Sequence, residues 1–178
     1  MKEYDVYMNC LQRQDLEPTQ HVVIADLGEK NLKLLKPGQE ENTFPFSFSK
    51  RPISCEENSL GTPWGLHEVT EKYGEGEPAG MVFEGRKAIG KCWHELPDTS
   101  PEQPCSVTTR ILRLKGLEDG LNSGPGVDSY NRYIYIHGTN HPDKFPMNIS
   151  AGCLVMLDEA LIQLYDQVPV GTHVMIIK

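Results

Sequence analysis

The 178-residue chain has no C-x-x-C pair, no clustered basic residues, no long apolar run and no internal repeat or low-complexity tract. Each absence excludes a class of protein. Without C-x-x-C, the five cysteines (Cys10, Cys55, Cys92, Cys105 and Cys153) offer neither a zinc ribbon nor a thioredoxin-type redox pair. Their odd number leaves at least one thiol unpaired: up to two disulfides among the first four in an oxidising compartment, or five thiols in a reducing one. Lys and Arg total 17 against 25 Asp and Glu, giving a net charge of -8. That balance argues against nucleic acid as a partner, because phosphate binding needs concentrated positive charge. No apolar run approaches the roughly 20 residues of a membrane span. The opening MKEYDVYMNC lacks the basic and apolar regions of a signal peptide, so the chain reads as soluble and without an export address. A cytosolic protein and a domain whose targeting segment has been removed both fit that reading.

What is present is a series of short strand-like runs punctuated by Gly, Pro and Asn: HVVIADL, NLKLLK, FPFSFSK, GLHEVTEKY, MVFEGRKAIGK, VTTRILRLKGL, RYIYIHGT and THVMIIK. Long helical stretches between them are missing. The expected fold is therefore mainly β, a sandwich or partly closed barrel rather than a βαβ arrangement. One helix is expected in DEALIQLYDQV, with Ala160, Leu161, Leu164, Tyr165 and Val168 on one face, Asp158 as N-cap and Pro169 ending it. Residues 1–19 are polar and read as an N-terminal extension or loose helix, with the domain proper spanning residues 20–178.

Two residues draw attention as chemistry. Strand alternation in RYIYIHGT puts Tyr133, Tyr135 and His137 on one face and Ile134 and Ile136 on the other. Gly138 then suits a strand end approached by other backbone or by a ligand. Sixteen positions after His137 comes Cys153, preceded by Gly152. An imidazole within reach can activate a thiol, and N–H groups around Gly152 and Cys153 can hold an oxyanion. Residue types and spacing alone leave this open, since free cysteine is also among the most buried residues and SAGCLVM is apolar. His137 with His141 does not make a zinc helix, GEGEPAG is a turn, and no metal or cofactor is called for.

The order of the motifs decides between these readings. IHGTN, a spacer, SAGC with an aliphatic residue, a short helix and VPVGTHVMII together resemble the catalytic signature of the YkuD-type L,D-transpeptidases, and GTPWGLHEV is similar to that family's T-P-x-G strand. The resemblance covers roughly residues 20–178. It implies a β-rich fold in which Cys153 is the nucleophile, His137 its base and the Gly138 carbonyl the group that fixes the imidazole tautomer. Ser150, Gly152, Tyr135 and Thr139 then line the substrate site. It further implies that the partner is a peptidoglycan stem peptide, attacked between its third residue and the terminal D-alanine, in the cell envelope and without a cofactor. An L,D-carboxypeptidase and a non-catalytic wall-binding module are the alternatives. Two positions depart from the family pattern: Ala151 where a histidine is usual, and Val155 where an arginine is frequent. His141, in the spacer, is a candidate to replace the missing histidine.

Overall fold

A computed structural model describes residues 2–36, 39–97 and 104–178. The strand runs read from the sequence become β1 (Val22–Asp26), β2 (Asn31–Lys36), β3 (Gln39–Pro45), β4 (Gly65–Tyr73), β5 (Met81–Glu84), β6 (Lys87–Cys92), β7 (Thr108–Gly116), β8 (Tyr135–Gly138), β9 (Leu154–Val155) and β10 (His173–Ile177). Helix α1 (Lys2–Gln14) precedes them and α2 (Asp158–Gln167) lies between β9 and β10. The strands form one sheet in the order β3-β2-β1-β10-β4-β7-β5-β6, with β8 also on β7 and β9 on β8. The architecture is mostly β, and the sheet does not close into a barrel.

Alternation along the strands separates two faces. Val23 and Ala25 of β1, Leu112 and Leu114 of β7, Ile134, and Ile136 of β8 enter the main core, which α2 covers with Leu161, Leu164 and Tyr165. Val22 and Ile24 point the other way and meet Tyr7, Cys10 and Leu11 of α1. That is why VVIAD is a continuous apolar run: β1 is buried on both sides. Of the two forms expected of residues 1–19, the helix is the one present, and it packs on the sheet. Tyr7 and Leu11, spaced four apart, are fully buried, and the Tyr7 hydroxyl lies 2.9 Å from His173 Nδ1. Burying a side chain of that size contributes about 1.5–3 kcal/mol, enough to hold a short polar helix against the sheet.

Farther along that second face, beyond α1, Met81 and Phe83 of the β5–β6 hairpin pack with Ile111, Tyr135, Tyr73, Val107 and Cys153. A bulge between Val69 and Glu71 lets β4 serve both ends, turning Val69 into the main core and Tyr73 toward the hairpin cluster.

Two local expectations change. Residue Leu157, not Asp158, is the N-cap of α2; Asp158 is the first helical residue, and its carboxylate accepts a 2.5 Å hydrogen bond from Thr109 Oγ1. Negative charge at this end still favours the helix dipole. Tyr133 does not share the strand face with Tyr135 and His137, because its φ of +55° breaks the extended chain just before β8 and leaves it 55% exposed.

Candidate active site

Strand β8 brings the two sequence candidates together through β9. The two strands pair in parallel, Ile136 opposite Leu154 and His137 opposite Val155. One residue before this register, Cys153 turns its Sγ to the Tyr135 N–H at 3.4 Å, so the thiol meets β8 two residues ahead of His137. Ile136 and Leu154 anchor the pair from the other face in the main core. The β9 segment is held in turn by Ser47, whose N–H donates to the Val155 carbonyl at 2.8 Å.

His137 is 2% exposed, and its Nδ1 lies 2.6 Å from the Gly138 carbonyl. A carbonyl can only accept, so Nδ1 carries the proton and Nε2 keeps its lone pair. Nε2 makes no hydrogen bond to a described residue, yet it is not among the solvent-excluded atoms lacking a partner. Burial lowers the pKa to about 4, against a smaller upward pull from the Gly138 carbonyl, so the ring rests neutral. Gly138 is needed because a Cβ there would sit 2.6 Å from Thr108 Oγ1 and 2.9 Å from the Thr108 carbonyl.

The Cys153 thiol rests against the backbone of β8. Tyr135 N–H donates to Sγ at 3.4 Å, and Sγ donates to the Tyr133 carbonyl at 3.5 Å. Burial pushes the thiol up to about 12; the Tyr135 N–H and the Arg132 guanidinium pull it down, and Cys105 pushes it up. The resting pair is thus thiol and neutral imidazole. Such a pair becomes nucleophilic when the proton moves from sulfur to Nε2 as the substrate arrives.

Among the other sequence candidates, Gly152 has φ +129°, and a Cβ there would meet Ile134 Cδ1 at 3.0 Å and the Gly61 carbonyl at 3.3 Å. Only glycine lets the chain bend into the cysteine at this point. Ser150 turns its hydroxyl into the same bend, donating to the Cys153 carbonyl at 2.6 Å and accepting from Gly152 N–H at 3.3 Å. The Tyr135 ring packs in the Cys153 cluster, and its hydroxyl accepts a 3.2 Å bond from Arg86 of the hairpin. Thr139 is buried; its Oγ1 accepts from the His141 N–H at 2.9 Å and lies 3.5 Å from Cys105 Sγ. His141 is itself buried rather than a solvated loop residue, with Nε2 3.3 Å from Asn140 Nδ2. All five cysteines are free thiols.

The sequence reading passed over the hairpin residues Met81, Phe83 and Arg86 and the Arg132 side chain. Only the position of Arg132, immediately ahead of the His137 strand, hinted at a role. Among the described residues, one group has metal-ligand spacing: Cys92, His94 and Glu95, with ligand atoms within 4.8 Å of one another at the end of β6. It includes neither His137 nor Cys153. Glu95 there already accepts the Cys92 N–H at 2.6 Å, which gives the group a capping role.

Residues 20–176 match the model of the YkuD L,D-transpeptidase catalytic domain. The chain belongs to this family. It is similar to YqjB of Bacillus subtilis (strain 168), a protein provisionally named an L,D-transpeptidase, with 33% identity over 92 residues, 44% of this chain and 52% of that protein. The chain thus aligns with about half the length of this curated relative. The fold is also that of solved L,D-transpeptidases. The structure from Xylanimonas cellulosilytica is 17% identical, with TM-score 0.54, over 90% of this chain and 61% of that one. The enzyme from Mycobacterium smegmatis is 17% identical, with TM-score 0.52, over 89% and 59%. L,D-transpeptidase 3 from Mycobacterium tuberculosis, bound to a faropenem-derived adduct, is 17% identical, with TM-score 0.53, over 89% and 60%. At such identities the structural likeness speaks for the L,D-transpeptidase fold alone.

Proposed function

We propose that this chain is an L,D-transpeptidase that acts on peptidoglycan stem peptides through a thioester at Cys153. The observation that carries the reading is the arrangement of His137: Nδ1 is fixed on the Gly138 carbonyl, Nε2 is left open, and the Cys153 thiol lies against the same strand at the Tyr135 N–H. Nε2 takes the thiol proton while sulfur attacks the carbonyl between the third residue and the terminal D-alanine. The new C–S bond pushes the carbonyl electrons onto oxygen, and we assign the Cys153 N–H to receive that charge, since the Gly152 N–H is already taken by Ser150 Oγ. Collapse breaks the C–N bond, and the proton held by His137 goes to the departing amine of D-alanine. An acceptor amine then attacks the thioester, loses its proton to His137 and returns Cys153 as a thiol.

Ser150 holds the cysteine bend, and we assign the substrate side to Tyr135, whose ring packs with Cys153, and to Thr139. Such chemistry belongs in the cell envelope, where the substrate is. No helix among the described residues is long and apolar enough to cross a membrane.

The test is to incubate the protein and its Cys153→Ala variant with purified disaccharide tetrapeptide and to follow the products by mass. Release of D-alanine with cross-linked dimers, both lost in the variant, is the expected result. Release without dimers would reassign the chain as a carboxypeptidase. No product from folded, reduced protein would sink the enzymatic reading.

A further inference from the structure

The segment from Ser150 to Met156 contains no charged side chain, and Val155 is fully buried. A thiolate formed at Cys153 therefore finds no cation within its own segment. Arg132 approaches from outside it. Its Nη2 lies 3.9 Å from where a Cβ on Gly152 would be, directly beside the cysteine bend. The guanidinium is clamped over the 54–61 loop: Nη1 donates to the Ser54 carbonyl at 3.2 Å, and Nη2 donates to the Gly61 carbonyl at 2.6 Å and to Ser59 Oγ at 3.4 Å.

All three of these acceptors are neutral. Among the described residues, no carboxylate lies within ion-pair distance of Arg132, whereas Arg113 is neutralised by Glu71 at 3.1 Å. Glu57, on the same loop, acts on it from beyond that distance, and taking a guanidinium partly out of water without a paired carboxylate costs stability. The residual positive field is then available to the next negative charge to form nearby.

We propose that Arg132 is a positioning residue for the nucleophile: its guanidinium, fixed by the 54–61 loop, stabilises the Cys153 thiolate. This rests on reading Cys153 as the nucleophile and adds the group that makes its ionisation less costly. The other titratable groups around the thiol do not supply a fixed cation. His137 and Tyr135 on β8, Tyr73 on β4 and Cys105 ahead of β7 are neutral or become negative when they ionise, apart from the imidazolium formed in the transfer itself. Arg86 of the hairpin, a second cation, donates to the Tyr135 hydroxyl at 3.2 Å and sits by the Tyr133 ring, and not on the loop behind Gly152.

The experiment measures the rate of Cys153 alkylation by iodoacetamide as a function of pH, read by mass on the Cys153 peptide so that the other four thiols are counted separately. Wild type, Arg132→Lys and Arg132→Gln are compared. The Gln variant is expected to alkylate at least about tenfold more slowly at a fixed pH below the midpoint, a shift of about one pH unit or more. The Lys variant keeps the wild-type profile, because charge and not the fork acts on sulfur, although loss of the loop clamp lowers its melting temperature. In turnover, the Gln variant loses kcat with little change in KM. A wild-type alkylation profile in the Gln variant overturns the proposal and leaves Arg132 a loop clamp only. Should the Gln variant fail to fold, Arg132→Met, which keeps the aliphatic stem without the charge, is measured in its place: a profile shifted up by about one unit supports the role of charge, and a wild-type profile overturns it. Alkylation needs no substrate, so this result stands apart from whether wild type releases D-alanine.

Discussion

His67 and His137 are buried to nearly the same degree, and each holds Nδ1 against a glycine carbonyl, at 3.0 Å from Gly65 and 2.6 Å from Gly138. Burial holds both near a pKa of about 4. They differ at the other nitrogen. Nε2 of His67 meets Ser129 Oγ at 2.9 Å, whereas Nε2 of His137 has no described hydrogen-bond partner. Their neighbours differ too, since His67 lies where β4 pairs with β10 and β7, while His137 lies on β8, whose Tyr135 N–H holds the Cys153 thiol. A buried histidine bonded at both nitrogens links backbone segments. One bonded at a single nitrogen retains a lone pair for a passing proton. Burial and pKa alone would have scored the two alike, so the count of satisfied nitrogens is the more informative observation.

The comparison would break most visibly in a pair of alanine variants. His137→Ala should lose about 10²- to 10⁴-fold in the rate of D-alanine release, the usual share of a positioned general base. His67→Ala should leave that rate within about threefold and instead destabilise the fold by about 2–4 kcal/mol in urea unfolding, as a cavity opens and Ser129 loses its partner. Equal losses of activity in the two folded variants would erase the distinction.

A second test acts on the support of His137. Gly138→Ala places a methyl group 2.6 Å from Thr108 Oγ1, so β8 must move away from β7. Overpacking of this kind costs about 1–3 kcal/mol, and the Nδ1 bond to the Gly138 carbonyl shifts with the backbone. Loss of D-alanine release beyond what the lowered melting temperature explains would show that carbonyl to be part of the machinery.

The third test is the pH dependence of stability. For both histidines the folded pKa lies below the ordinary 6.5, so between about pH 6.5 and 4 the unfolded chain binds more protons than the folded one. Their contribution is complete above pH 6.5 and is lost as pH falls through that window, by up to about 3 kcal/mol per histidine. Urea midpoints measured from pH 7.5 to 4.5 should fall. In His67→Phe the fall should be shallower by roughly the share of one histidine, and an unchanged slope would mean that His67 is not held neutral. The smallest expected effect is that of Ser129→Ala, about 1 kcal/mol from one hydrogen bond, with turnover intact.

Much of this architecture could be read from residue order. Short apolar runs with Gly and Pro between them mark β1, β2, β4 and β10: β1 and β10 are nearly continuous because both their faces are buried, while alternation shows in β2, whose Leu32 and Leu34 enter the core on either side of Lys33. DEALIQLYDQV announced α2 for the same reason at helical spacing. Helix α1 was harder to read: its apolar positions, Tyr7, Cys10 and Leu11, are few and lie among charged neighbours, so the packing surface is visible only once β1 and β10 present their second face. Tyr133 escaped the alternation rule because a positive φ is a property of the turn in which it sits.

By itself, then, the sequence determined the strand series, the helix after the cysteine and the pairing of a histidine with a cysteine in a familiar order. These are local or short-range patterns, and periodicity and motif spacing record them directly. Only the tertiary structure decided which histidine nitrogen stays open, that the β5–β6 hairpin lies over Cys153, and that Arg132 stands beside Gly152 without a paired carboxylate. Those features depend on strand register and loop closure between segments distant in the chain. No residue spacing encodes such distances, because they arise when separate stretches of backbone satisfy their hydrogen bonds against one another.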